Sequence, residues 1–209
     1  MGKIFNYDSK FFAGMTKVSD TIIINILFVI CSIPIVTIGA SITALYSVSM
    51  KITRDEDIYA AKEFIKQFKQ NFKQSTIIWI ILLVIGLFIG LDFYLCSLMS
   101  DNTISMIFKF IFTIVSVVLS FILIYVFPLT ARFENSIKNT LTNSIFMSIQ
   151  HLPYTLVMSV LTFAPILSFI LFSQYWGQIV FFNTCISFGF IAYMNSILLN
   201  KIFNKYIQE

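Results

Sequence analysis

The sequence predicts an all-α, polytopic helical membrane protein with five to six transmembrane segments, and three observations support this fold class. The chain of 209 residues is 58% hydrophobic and only 11% charged, whereas a soluble domain carries about 25% charged residues. Apolar runs long enough to cross a bilayer recur along it, and no Asp, Glu, Lys or Arg stands between Lys138 and Lys201. Too few polar residues remain to cover a soluble globule. We therefore expect one membrane domain over residues 1–209.

The first apolar segment, residues 21–50, contains no charged residue and is interrupted in its middle. One helix of this length would be about 45 Å long, whereas the hydrocarbon core is about 30 Å thick. Pro34, Thr37 and Gly39 therefore form a candidate membrane turn, which would place a helical hairpin here with its tip near the outer side. The alternative is a single long span, kinked at Pro34, with the N-terminus outside. The hairpin gives six crossings and the kinked span gives five.

Residues 55–73 predict an amphipathic helix between the first segment and the next span. Apolar residues recur every three or four positions, and lysines fill the other side. Such a helix lies in the plane of the inner interface with its phenylalanines towards the lipid. The candidate residues for facing lipid or a partner protein are Phe64, Phe68, Asn71, Phe72 and Lys73.

Four further spans are predicted at 75–97, 104–130, 153–173 and 177–199. The short connectors within each pair contain no Lys or Arg, whereas the longer connectors and the C-terminal tail are basic. By the positive-inside rule, the long connectors and the C-terminus are cytoplasmic, and a hairpin over 21–50 places the N-terminus there as well. We expect a multi-pass protein of the cell membrane. Its basic excess follows from this topology, so no nucleic-acid binding is expected.

Asp92 and Lys109 are ionisable residues inside two consecutive spans. The connector between these spans centres between residues 100 and 101, so an antiparallel hairpin places both side chains at the same depth. A charge inside the membrane is costly unless it is paired. We therefore expect an intramembrane ion pair that fixes the hairpin register; a proton or substrate-ion site is the alternative.

Residues that would indicate catalysis are sparse. His151 is the one histidine and stands at a membrane edge, and the three cysteines lie singly in apolar segments. The sequence contains no phosphate-binding loop and no hydrolase or zinc-protease motif. Asn25, Asn183 and Asn195 are polar residues within spans, where hydrogen bonds between helices are the simplest interpretation. We expect no enzyme, with no catalytic residue, no cofactor and no metal site.

Essentially the whole chain resembles the YesL family, also called the DUF624 family, which are small membrane proteins of Gram-positive bacteria; the second half matches mainly in its spans. The resemblance is most specific in "NILFVICSIPIVTIGASITALYSVSMKITRDED" and "FIKQFKQNFKQSTIIW". The residues that match the family pattern are Asn25, Pro34, Thr37, Gly39, Ala40, Thr43, Ala44, Leu45, Tyr46, Phe64, Phe68, Asn71, Phe72, Lys73 and Trp79. Pro34–Tyr46 would then be the membrane turn with the residues after it, and Phe64–Lys73 the amphipathic helix.

The resemblance implies no established reaction, but such proteins are often encoded beside carbohydrate ABC importers and glycan-degrading enzymes. It therefore suggests an accessory protein of a carbohydrate ABC importer, with the permease or its ATPase as partner. One alternative is a self-contained small-solute transporter, which would need a homo-oligomer to build a pathway. The other alternative is a membrane sensor or regulatory partner.

Overall fold

The computed structural model describes residues 10–98 and 103–207, which form helices and contain no strand. The α-helices are α1 (Lys10–Cys31), α2 (Ile38–Thr53), α3 (Ala60–Leu98), α4 (Thr103–Arg132), α5 (Ile137–Gln150), α6 (Leu152–Leu171), α7 (Trp176–Phe182) and α8 (Phe188–Ile207). Short 3₁₀ turns precede α2 and α7, and a π-helical segment, Asn183–Ser187, joins α7 to α8. Six helical stretches in the described part of the chain are long and apolar enough to cross a membrane. The predicted all-α membrane fold is therefore confirmed.

Helix α2 is the centre of the bundle. It packs against α1, α3, α4 and α8, and most of its side chains are buried. Small and hydroxyl-bearing residues dominate its surface, which allows neighbouring helices to approach closely where lipid gives no hydrophobic drive for association. Larger side chains complete the core around it, among them Phe64, Tyr125 and Phe203.

The chain breaks between α1 and α2, and side chains satisfy the backbone of this turn. The Thr37 hydroxyl donates to the carbonyl oxygens of Cys31 (2.6 Å) and Pro34 (2.8 Å), which share its hydrogen. The indole Nε1 of Trp79 donates to the carbonyl oxygen of Ile35 at 2.8 Å. The tip itself is apolar, since the Ile33 side chain is 76% exposed. Irregular backbone can lie among apolar groups only when such partners satisfy it.

One expectation about this turn was wrong, and its depth in the membrane stays a prediction. Gly39 lies not in the turn but in the first turn of α2, because the 3₁₀ turn Ile35–Thr37 already reverses the chain. The turn also lies beside Trp79 and not at the end of the bundle where α3 ends. Helix α3 continues from Trp79 to Leu98, a further rise of about 29 Å. Helix α2 has only 16 residues, so it pairs with the first half of α3 alone.

A separate in-plane helix over residues 55–73 is not observed. Residues from Ala60 onward belong to α3, which runs for 39 residues without interruption into the predicted span 75–97. No proline lies in this stretch, and the polar residues near Gln74 favour a helix as readily as the apolar ones do. The chain before it is an irregular connection in which Asp55 takes a left-handed conformation with φ of 58°.

Gly39 allows α2 and α3 to touch, and an added methyl group there would meet α3 directly. A Cβ atom on Gly39 would lie 2.5 Å from Trp79 Cβ and 2.6 Å from the Ser75 carbonyl oxygen. We therefore expect Gly39→Ala to lower the free energy of unfolding by roughly 1–3 kcal/mol. Thermal unfolding in detergent measures this effect.

The matched control for Gly39→Ala is Gly90→Ala, also within a helix. A Cβ atom on Gly90 would meet nothing within 4 Å, so this substitution should leave the melting temperature unchanged or slightly raised. Equal melting temperatures for the two variants would contradict the close contact between α2 and α3.

Candidate functional site at the basic end of the bundle

The start of α1, the connection from α2 to α3 and the end of α8 meet at one end of the bundle, here called the basic end. Lys17 pairs with Asp55, with Nζ and Oδ1 2.6 Å apart. Arg54 Nη1 donates to Asn200 Oδ1 at 3.0 Å, and Asn200 Nδ2 donates to the Met50 carbonyl oxygen at 3.0 Å. The start of α1 and the end of α8 therefore lie at the same end of the bundle.

An ion pair joins α2 to α3 at this end. Lys51 Nζ lies 2.6 Å from Glu63 Oε1, and the two side chains are only 24% and 15% exposed. Gln67 Nε2 donates to the same carboxylate oxygen at 2.9 Å. A half-buried, hydrogen-bonded carboxylate of this kind holds its partners more firmly than a surface ion pair does. The pair fixes the height of α2 along α3.

A polar cleft of about 660 Å³ opens beside this pair, between α3 and the link from α4 to α5. We call it the amide cleft, because amide side chains form much of its wall. Gln74 Nε2 donates to the Asn135 carbonyl oxygen at 2.8 Å, which holds the two sides together. Its lining residues are Gln67, Gln70, Asn71, Gln74, Thr130, Ala131, Arg132, Phe133, Glu134 and Asn135. Such groups can bind a polar ligand through hydrogen bonds and the guanidinium charge.

A stripe of exposed lysines follows the outer face of α3 at the basic end. We call Lys62, Lys66, Lys69 and Lys73 the lysine stripe; their spacing of four, three and four residues puts them on one helix face. The same face continues above them as exposed apolar residues, including Ile77, Ile80 and Val84. The outer face of α3 is therefore basic along its first half and apolar along its second.

The five residues predicted to face lipid or a partner divide between the core and the surface. Phe64 is fully buried in the core and Phe68 packs partly against it, so for Phe64 the expectation was wrong. Asn71 donates to the Gln67 carbonyl oxygen and lines the amide cleft. Phe72 and Lys73 remain exposed. The reason is that α2 covers the inner face of α3. A helix lying in the plane of the membrane interface would instead turn this face to lipid.

Asn25 of α1 bridges a break in the helix that ends the chain. Its Nδ2 donates to the Thr184 carbonyl oxygen at 2.7 Å, and its Oδ1 accepts from the Gly189 amide at 2.8 Å. Both backbone groups belong to the π-helical segment and its junction with α8, where the regular hydrogen-bond ladder shifts. Farther along α8, Asn195 Nδ2 donates to Tyr46 Oη (3.2 Å) and Thr162 Oγ1 (3.0 Å). These asparagines join helices to one another.

Asp92 and Lys109 lie half-buried on the antiparallel helices α3 and α4. The register between these helices agrees with the one that the sequence suggests for this pair. Ser105 Oγ donates to the Cys96 carbonyl oxygen at 3.0 Å. Along the chain, the midpoint between Cys96 and Ser105 is the same as the midpoint between Asp92 and Lys109. Residues 99–102 of that connector lie outside the described chain. The ion pair stays a prediction.

His151 lies at the junction of α5 and α6, with its Nε2 2.9 Å from Tyr206 Oη. Tyr206 Oη donates to Gln150 Oε1 at 2.9 Å, so we assign the histidine Nε2–H as donor to the tyrosine oxygen. Burial, and secondarily the positive charge of Lys205, lower the pKa of His151 from its ordinary value of 6.5. Within the described residues, no group of three or more His, Cys, Asp or Glu side chains is placed to hold a metal ion.

Sequence reasoning did not single out Lys51, Arg54, Glu63 or Asn200 at the basic end, nor Arg132 in the amide cleft. A signal was present for the cleft: Gln67, Gln70, Asn71 and Gln74 recur at helical spacing on one face of α3. No comparable signal identifies Asn200, because its partners lie far away in the sequence.

Comparison with known proteins gives one match. Residues 21–93 match the family model DUF624, whose description is a protein of unknown function. This match confirms the resemblance noted in the sequence. It includes the second half of α1, the turn, α2 and most of α3, and therefore the Gly39 contact, the Lys51–Glu63 pair and the lysine stripe. The search of curated proteins found no match, and the search of solved structures found none.

Exchanging the charges of Lys51 and Glu63 tests whether their pair fixes α2 against α3. We expect Lys51→Glu or Glu63→Lys alone to lower the free energy of unfolding by roughly 1–3 kcal/mol, since each places like charges together in a half-buried site. The double exchange should recover part of this loss. Lys62→Glu on the exposed stripe is the control and should change stability little. Additive effects of the two single exchanges would contradict a direct pair.

His151 should make stability depend on pH. Because its pKa is lowered in the folded protein, the unfolded chain binds a proton more readily. This contribution to stability is complete above the unfolded value and is lost as pH falls below 6.5 and through the lower pKa of the folded protein. We expect His151→Gln, compared with the wild type by thermal unfolding across this range, to weaken the pH dependence. An unchanged pH dependence would show that other groups cause the acid loss.

Proposed function

We propose, taking the match of residues 21–93 to the DUF624 family as the premise, that this protein is a non-catalytic accessory subunit in the membrane. It docks a partner membrane protein along the outer face of α3. The partner that we propose is the permease of a carbohydrate ABC importer, which the resemblance suggests. The protein lies in the cell membrane with its basic end in the cytoplasm, a placement that depends on the positive-inside rule.

The observation that carries the proposal is the two-part outer face of α3. Ile80, Val84 and Leu91 are exposed along its second half, and the lysine stripe continues the same face over about 17 Å of its first half. A partner whose apolar transmembrane helix ends in an acidic cytoplasmic segment would match both parts.

The polar residues within the spans support an accessory role over transport by this chain alone. Asn25 and Asn195 are hydrogen-bonded to neighbouring helices, and the Thr43 and Ser75 hydroxyls bond each other at 2.8 Å. The groups bonded in this way hold the bundle together and are not free to exchange hydrogen bonds with a passing solute. No contact in the described chain specifically favours a sensor.

Site-specific photocrosslinking in native membranes tests the docking face. A photoreactive amino acid is placed at Lys69 in the lysine stripe, at Ile80 in the apolar half, and at Val160 of α6 as a lipid-exposed control. We expect Lys69 and Ile80 to crosslink the same protein, identified by mass spectrometry as an importer permease, and Val160 not to do so. Crosslinks to lipid alone, or to a second copy of this chain, would overturn the accessory proposal.

Charge reversal distinguishes docking from chance proximity. We expect Lys66→Glu together with Lys69→Glu to reduce the Ile80 crosslink at least about fivefold, because the acidic segment of the partner would be repelled. Lys138→Glu, a single charge reversal on α5, should leave the crosslink intact. Equal crosslinking in both variants would show that the lysine stripe does not contribute.

A further inference from the structure

Two cavities lie along the same face of the α3–α4 pair, and their chemistry differs. The amide cleft occupies the part near the basic end. Beyond it lies a groove of about 270 Å³ whose lining is aliphatic. The groove residues are Ile81, Leu82, Ile85, Val115, Val118, Leu119, Ile122, Leu141 and Ile145. We call this the apolar groove.

Helical spacing shows that both cavities share one face of each helix. On α3, Gln67 and Gln74 of the cleft are followed by Ile81 of the groove, each seven residues after the last. On α4, Leu119 of the groove precedes Thr130 of the cleft by three turns. The distance from Gln74 to Ile81 along the helix is about 10 Å. A single extended molecule can therefore reach from one cavity into the other.

The donors and acceptors of the cleft indicate what it can bind. The side-chain amide nitrogens of Gln67, Asn71 and Gln74 already donate within the protein. Asn71 uses both of its amide hydrogens on Gln67, whereas Gln67 and Gln74 each keep one N–H, and the oxygens of Asn71 and Gln74 accept no hydrogen bond from the described residues. Acceptors of this kind suit hydroxyl groups, which donate. The Arg132 guanidinium adds a forked donor that matches a phosphate, and Glu134 stands exposed at the rim.

We propose that the amide cleft and the apolar groove together bind one phospholipid whose headgroup carries both a phosphate and free hydroxyls. Arg132 binds the phosphate, the amide oxygens of Asn71 and Gln74 accept from the headgroup hydroxyls, and an acyl chain lies in the apolar groove. Ile81, Ile85 and Ile145 are exposed, so the chain enters from the bilayer without any opening of the bundle. This site lies on a different face of α3 from the lysine stripe, so either proposal can fail without the other.

Lipid retention measured by native mass spectrometry tests the site. The full chain is reconstituted in nanodiscs of equal parts phosphatidylglycerol and phosphatidylcholine, then released, and the lipid that stays bound is identified. We expect the protein to retain one phosphatidylglycerol molecule in preference to phosphatidylcholine. Arg132→Gln should reduce this retention about tenfold, as the loss of a charge-assisted contact predicts. Lys69→Gln, which removes an equal charge on the outer face of α3, should reduce it less than about twofold.

A second variant separates the lipid site from general attraction and from loss of fold. Ile145→Trp fills the apolar groove without changing charge, and it should also displace the lipid. Thermal unfolding in nanodiscs of phosphatidylcholine alone verifies that each variant is folded. Equal losses for Arg132→Gln and Lys69→Gln, or full retention in a folded Ile145→Trp variant, would overturn the proposal. Equal retention of a neutral glycolipid in place of phosphatidylglycerol would also overturn it, because the phosphate would then be unnecessary.

Discussion

The close contact between α2 and α3 is the constraint on which the rest of this structure depends. A glycine at position 39 leaves no side chain between the helices, and the Thr43 and Ser75 hydroxyls bond across the interface. At the basic end the Lys51–Glu63 pair closes the same interface. With α2 fixed along the first half of α3, the core residues of α4 and α8 have one surface to pack against. The position of the α1–α2 turn beside Trp79 then follows from the length of α2.

Polar groups have different roles in the apolar part of the bundle and at its basic end. Within the apolar part of the bundle, Asn25 and Asn195 satisfy backbone or side-chain groups of other helices. The resulting junction at Gly189 is tight, because a Cβ atom there would lie 2.6 Å from the Thr21 carbonyl oxygen. At the basic end, by contrast, charged and amide groups line open surfaces such as the amide cleft. The surfaces at the basic end can accept a partner or a ligand, whereas the bonds between helices cannot without loosening the bundle.

The amphipathic pattern of residues 55–73 shows how far local sequence information extends. The pattern correctly indicates a helix with apolar and basic faces, and the structure contains that helix as the start of α3. The pattern does not reveal what covers the apolar face. Phe64 and Phe68 meet α2 and the core around it and not lipid, and periodicity alone cannot tell a protein neighbour from a bilayer, since both are apolar. The lysine stripe depends on spacing within one helix, so it was visible in the sequence. The amide cleft was not recognised, because its other wall is the link from α4 to α5, which is distant in the chain.

By itself, the sequence determined the class of this protein: its composition requires a membrane, its apolar runs indicate five or six membrane-crossing segments, and the residues between Asn25 and Trp79 indicate the DUF624 resemblance. Only the tertiary structure decided which faces meet. It placed Gly39 against α3, brought Arg54 to Asn200, and aligned the amide cleft with the apolar groove. The physical reason is that hydropathy and helical periodicity are local properties. Contacts between residues distant in the chain depend on packing in three dimensions, which no local window of sequence contains.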